Sequence, residues 1–273
     1  ITGNGNALIT GGSVSGNVAA LEGGGLWNGA GTMIVDGTTI DGNTAAGALA
    51  DQGGGGIFCF SGTVIVQNNA AIINNTATGA AGSGGGILVD TTATLNMLNS
   101  VVSGNTAMRA GGGIEVNSNA GSLTSLSGTD LVNNSAGSAP GNGGGLHISG
   151  AGDVAINGGT VSGNNAAREG GGLWNNTGTM TIDGTLIDGN TASGPAADDG
   201  GGGIFNNGGI LLVQNGVVVR NNLANGDAGS GGGLFNNGGT VTIDSVSFEQ
   251  NECIRAGGAI ETLAGSVAVS NSM

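Results

Sequence analysis

The side chains able to do chemistry in this chain are few. There are 18 carboxylates, four arginines, two cysteines and one histidine among 273 residues, with no lysine and no tyrosine. Paired carboxylates would suit glycosidic hydrolysis, which needs two of them roughly 5 to 10 Å apart. Asp198 and Asp199 are adjacent in one loop, and Asp36, Asp183 and Asp244 share a position in a repeat without occupying neighbouring copies of it. Carboxylates that do not converge read as solvated groups following strands, so no catalytic residue is assigned. Oxygen-rich loops would suit calcium. The loop acids are Asp51, Asp198, Asp199 and Asp227, and the glycine–aspartate nonapeptide that binds calcium on other repeat proteins is missing. No metal and no other cofactor is expected, and a calcium ion in one of these loops is the alternative. His147 by itself makes neither a triad nor a metal cluster. Its place in the pattern described next predicts an exposed ring. Arg109, Arg168, Arg220 and Arg255 fall near repeat corners, where pairing with acids such as Glu115 or Glu169 is expected. Cys59 and Cys253 give no disulfide framework. They lie six repeats apart, about 29 Å by strand spacing, too far to be joined. Cys253 takes a slot otherwise given to alanine and is expected to be a buried, inert thiol.

What positions these groups is a repeat. Residues 23 to 43, GGGLWNGAGTMIVDGTTIDGN, and residues 170 to 190, GGGLWNNTGTMTIDGTLIDGN, agree at 16 of 21 positions. A glycine triplet followed by an aliphatic residue recurs with the aliphatic at Leu26, Ile57, Ile87, Ile114, Leu146, Leu173, Ile204 and Leu234, and as Gly-Gly-Ala-Ile at Ile260. The unit is 26 to 32 residues long, and the pattern of unit lengths itself recurs after 147 or 146 residues. The chain is therefore read as one continuous domain, 1–273, made of two five-unit blocks, about 1–147 and 148–273, the second incomplete. Each unit carries an asparagine: Asn17, Asn43, Asn75, Asn105, Asn134, Asn164, Asn190, Asn222 and Asn251. An apolar residue stands three positions before each, and alanine stands two positions after eight of the nine. Between the triplet and the asparagine, pairs such as Met180 and Ile182 alternate with Thr179 and Thr181. The unit around residues 119 to 127 is one residue out of step.

Period-2 segments too short and too glycine-rich for helices are strands. Three strands per unit, stacked on their equivalents, make an all-β, single-stranded, three-sided parallel β-helix of about nine coils, right-handed by the usual crossover preference. At about 4.8 Å per coil the rod is roughly 43 Å long. Aliphatic ladders fill its interior. The asparagines are read as an internal ladder at a turn, tolerant of the left-handed region. The variable stretches before each triplet should project as loops from one edge. The residue after each triplet aliphatic should face outward, and Trp27, Phe58 and Leu88, then Trp174, Phe205 and Phe235, form two stacked apolar runs there. They are a candidate contact column; stabilisation of neighbouring coils under cover of the loops is the other reading. A threonine column at Thr32, Thr63, Thr94, Thr179 and Thr240 hints at an ice-binding face, but Asp153 and Ile210 interrupt it.

The GGGI and GGGL units, the GGAI at Gly257 to Ile260 and the FEQN at Phe248 to Asn251 resemble the GGA[ILV] and FxxN repeats of polymorphic outer-membrane proteins, and glycine-rich β-helix repeat proteins of bacterial surfaces. The resemblance spans the chain and implies a secreted or surface-displayed, adhesin-like role with no catalytic residues. Most units carry Val, Ile or Leu where that family has Phe. Charge agrees with part of this. A net charge of −14 offers nothing to nucleic acid or to anionic lipid, and no apolar run of about 18 residues exists to insert into a membrane. The chain opens at Ile1 and both ends read as uncapped coils, as in a piece of a longer rod or a subunit that stacks end to end. The expected function is an extracellular or cell-surface adhesin-like or fibre-forming rod whose partners are copies of itself or surface glycans. A polysaccharide-binding or polysaccharide-degrading protein of the same fold, like pectate lyases and polygalacturonases, is the alternative.

Overall fold

A computed structural model describes residues 1–138 and 140–273. The described chain is all-β, and every strand pairing is parallel. The strands form one 17-stranded sheet and two nine-stranded sheets that wind as a three-sided parallel β-helix of about nine coils. The coil after the second GGGLW shows the plan. Leu173–Asn175 and Thr179–Asp183 belong to the large sheet, Leu186–Asp188 to the second and Thr191–Ala192 to the third. Each strand lies on its counterpart in the coils before and after, so Met180 sits between Val154 and Leu211, and Ile182 between Ile156 and Val213.

The coil therefore has four strand segments where the sequence predicts three. The division falls at the asparagine. The residue before it has a left-handed backbone in every coil: Gly16, Gly42, Asn74, Gly104, Asn133, Gly163, Gly189, Asn221 and Gln250. The ladder asparagines do not carry the positive φ. That role belongs to the neighbour, where glycine or asparagine bears it at least cost.

Alternation within the strands sorts the side chains. Met180, Ile182 and Ile187 are fully buried, as are their counterparts in the inner coils, and together they form one continuous core against which Ala7, Ile9, Val14, Phe248 and Val267 of the end coils pack half-buried. Alanine closes the third side, with Ala45, Ala77, Ala107, Ala192 and Ala224 fully buried. The out-of-step unit resolves in Leu123–Ser127, where Thr124 and Leu126 point inward over Leu95 and Met97. Leu123 is left half exposed. The Thr124 hydroxyl is buried without a partner, and an unpaired hydroxyl in such a place costs about 1–3 kcal/mol. Thr124→Val, which keeps the shape and removes the hydroxyl, should stabilise the protein by about 1 kcal/mol, read as a raised midpoint in urea unfolding with unchanged slope.

The glycine triplets are set by the closeness of the coils. Gly170 has φ +63°, and a Cβ there would lie 2.5 Å from the Leu173 carbonyl oxygen. A Cβ on Gly171 would meet the Gly202 carbonyl oxygen of the next coil at 2.4 Å. The stretches before the triplets do not simply project. Gly53, Ser83, Ala110, Asn142 and Glu169 bridge successively in parallel, as do Gly200 and Ser230. This additional ladder runs beside the rod and brings the chain back onto the outer column.

Candidate functional site

The asparagine ladder is the most regular polar structure in the molecule. In mid-rod, Asn105 Nδ2 donates to Asn134 Oδ1 at 3.0 Å and to the Ile72 carbonyl at 2.8 Å. Asn105 Oδ1 accepts from Asn75 Nδ2 at 3.0 Å and from the Asn75 backbone N–H at 2.8 Å. The amide-to-amide bond joins every consecutive pair from Asn17 through Asn43, Asn75, Asn105, Asn134, Asn164, Asn190 and Asn222 to Asn251, at 2.9 to 3.0 Å. In mid-rod both amide hydrogens are donated and the oxygen accepts twice, which satisfies the group inside a dry core.

A second, shorter amide ladder escapes the sequence reading. Asn175 Nδ2 donates to Asn206 Oδ1 at 2.8 Å, and Asn206 Nδ2 to Asn236 Oδ1 at 2.9 Å. All three are fully buried. Their signal was the inward position two residues after the triplet aliphatic. In the first block Asn28 and Cys59 hold that place, with Asn28 Nδ2 3.9 Å from Cys59 Sγ. Burial pushes the Cys59 thiol up to about 11. At neutral pH its thiolate fraction is then about a hundredfold below that of an ordinary cysteine. Cys59 should resist a thiol reagent until the protein unfolds, while the half-buried Cys253 reacts in the folded state; mass spectrometry of the labelled chain distinguishes the two. Both cysteines are free. Cys253 is more open than its alanine slot predicts.

The outer column is where the structure departs most from expectation. Alternation does turn it away from the core, but it is covered. Phe58 is 1%, Leu88 0%, Trp174 6%, Phe205 1% and Phe235 0% exposed, and Trp27 is half-buried. The rings stack along the axis, Trp27 on Phe58 at 5.9 Å, Trp174 on Phe205 at 6.0 Å and Phe205 on Phe235 at 5.1 Å between centroids. Trp174, Phe205 and Phe235 make a second small core outside the rod. As an open contact surface the column is thus corrected. The chain before each triplet folds back on it, and the Trp174 indole N–H donates to Glu169 at 3.0 Å.

His147 is corrected with it. The ring is 3% exposed, sits 4.3 Å from the Trp174 ring, and places Nδ1 2.9 Å from the Glu115 carboxylate of the preceding coil. Glu115 is fully buried and also meets Arg109 Nη1 at 3.4 Å and the Ser149 hydroxyl. Burial works to raise its pKa, but His147, Arg109 and Ser149 outweigh it and hold the carboxyl below its ordinary value. The hydroxyl in this cluster bonds the carboxylate, so the order nucleophile–imidazole–acid that activates a serine is not what these contacts build.

Several of the remaining charges are engaged by the neighbouring coil. Asp36 accepts from Gln67 Nε2 at 2.8 Å and Asn68 Nδ2 at 3.0 Å, and those amides hold its carboxyl below the usual range. Asp183 accepts from Gln214 and Asn215, and Asp244 from Ser270 and Asn271. Each of the three acids is engaged by its own next coil. All four arginines are paired: Arg109 with Glu115, Arg168 with Asp199 at 2.7 Å, Arg220 with Asp188 at 2.9 Å and Arg255 with Glu261. Asp199 is committed to Arg168 and to the Ala196 N–H at 2.9 Å. Among the described residues no group of three or more His, Cys, Asp or Glu side chains is placed to hold a metal ion. An open groove of about 440 Å³ is lined by Asn221, Asn222, Leu223, Gln250 and Glu252. Comparison with protein-family models, with curated proteins and with solved structures returns no match.

Proposed function

We propose that this chain is a structural or interaction rod, adhesin-like or fibre-forming, working outside the cell or at its surface without catalysis. Copies of itself and surface glycans are its partners in that reading. The observation that supports it is the use made of polar groups: nine asparagines, the acids after the strands and all four arginines are engaged in bonds from coil to coil. Such a molecule is cross-linked along its axis by groups that an enzyme would turn toward a substrate. The likeness to outer-membrane repeat proteins has a physical basis in the last unit. Phe248 packs against the core and Asn251 closes the ladder, so FxxN is the spacing from an inward residue to the corner amide.

The test is negative-stain electron microscopy at neutral pH, with a polysaccharide panel assayed in parallel for binding and for product release. Straight rods roughly 43 Å long, or filaments built of them, with no product released, are the expected result. Release of oligosaccharides from any member of the panel would replace this reading with an enzymatic one.

A further inference from the structure

Two residues beyond the covered aromatic column, a second line of outer side chains runs from coil to coil, and most of it is closed by hydrogen bonds. Asn117 Nδ2 donates to Asp90 Oδ1 at 2.9 Å, the Ser149 hydroxyl to Asn117 Oδ1 at 3.1 Å and Asn176 Nδ2 to the Ser149 carbonyl at 3.0 Å. The line of bonds stops at Asp90, because the place before it is held by Phe60. Leu88 lies on Phe58 and Val89 on Cys59, and the Thr91 hydroxyl donates to the Phe60 carbonyl. Asp90 is therefore Phe60's neighbour one coil on, about 4.8 Å along the axis.

Phe60 is an aromatic ring left open. It stacks on Trp27 at 6.1 Å and flanks Phe58 at 6.4 Å between centroids, with the planes within 20°. Phe58 is 1% exposed and Phe60 42%. Trp27 lies on the side of the preceding coil and Asp90 on the side of the following one. Asp90 is only 7% exposed, yet no cationic side chain pairs with it. Residues 1–108 contain no lysine, arginine or histidine. The other charges that act on Asp90, those of Asp51 and Glu22, are also negative.

The second block shows that the fold does not need this arrangement. The same two places, 147 residues on, hold Asn207 and Asn237, and Asn237 Nδ2 donates to Asn207 Oδ1 at 3.3 Å. There a neutral amide pair closes the line. In the first block a ring face and a carboxylate without a counter-ion leave it open.

We propose that Phe60 and Asp90 form a binding site for an organic ammonium group, which lies on the open face of the Phe60 ring with its charge against the Asp90 carboxylate. An aromatic face attracts a cation through its quadrupole. A carboxylate mostly removed from water gains most from a ligand that brings the opposite charge. A bare calcium or magnesium ion would ask for several oxygen ligands, and no group of three acids or other ligating side chains is placed there among the described residues. A neutral sugar could stack on the ring but would leave the charge uncompensated.

The experiment uses the full chain with Trp174→Phe, so that Trp27, stacked against Phe60, is the sole indole. Choline is titrated beside its neutral isostere with carbon in place of nitrogen, and glucosamine beside N-acetylglucosamine, by indole emission and by calorimetry. Saturable binding of a cation with a Kd on the order of 1 mM is expected, with the neutral counterpart weaker by roughly tenfold or more. Tighter binding of choline indicates a quaternary headgroup as the source and tighter binding of glucosamine a sugar amine; both support the site. Asp90→Asn should weaken the cation by roughly tenfold. The double variant Phe60→Asn with Asp90→Asn writes the second block's amide pair into the first. It should unfold in urea as the parent does and bind neither cation. Absence of saturable binding of both cations overturns the proposal, and so does a neutral isostere that binds as tightly as choline. Binding that persists undiminished in the double variant overturns it as well, by placing the ligand elsewhere.

Discussion

Asn105→Ala will cost about 3–5 kcal/mol. The substitution removes the oxygen that accepts two bonds and the amide that donates two. It leaves the Asn75 backbone N–H and one Asn75 amide hydrogen buried without acceptors, and takes a donor from the Ile72 carbonyl. Each orphaned group costs about 1–3 kcal/mol where water cannot reach. Asn17 is exposed and donates to Asn43 without accepting a ladder bond itself, so Asn17→Ala should cost less than about 1 kcal/mol. Urea unfolding of the two variants makes the comparison. Equal losses would mean that the ladder contributes little beyond local turn geometry.

Glu115→Leu should cost about 3–5 kcal/mol, because removing one partner strands the other in the interior. His147 would keep its burial and lose the carboxylate it faces at 2.9 Å. Arg109 would fall back on Ser83, to which it already donates at 3.0 Å, and on solvent. Adding His147→Phe should recover most of the loss, since the pair then continues the apolar stack from Leu88 to Trp174, and replacing a buried ion pair by packed apolar groups is often neutral or better. The pH dependence separates the two. Glu115 is held below its ordinary value in the folded state, so its contribution is present above that ordinary value and disappears as pH falls through the folded one. The native protein should lose stability in acid that the double variant does not lose through this group. A double variant as unstable as Glu115→Leu would show that the cluster's worth is geometric.

The period, the parallel coils, the inward residues and the corner amides were legible because each obeys a spacing. Val14, Ile40 and Ile72 fall three residues before an asparagine, and a period of 2 then decides which way they point. The same rule placed Trp174 and His147 on the outer side of their strand and could go no further. Whether the outer side meets water depends on the stretches before the triplets, which vary in length and carry no period of their own. That is why His147 was read as exposed. Asn175 and Asn206 were hidden differently. They occupy an inward position where the middle coils have Val89, Val116 and Ile148, and nothing in the spacing says that amides placed there bond one another from coil to coil. The left-handed residue was misplaced by one, since asparagine is common both at the corner and just before it. The Arg168–Asp199 pair joins two loops and leaves no mark in any column.

The ladder pairs stay at 2.9 to 3.0 Å although the chain between successive rungs varies from 26 to 32 residues. The pitch of the rod is thus decoupled from the amount of chain spent on each turn. Extra residues can be inserted ahead of a glycine triplet for little more than the slow logarithmic cost of a longer loop, while the spine keeps its spacing. The molecule is in this sense a ruler with blank margins: the graduations are set by amides in the interior, and new text can be written along the edge without moving a mark.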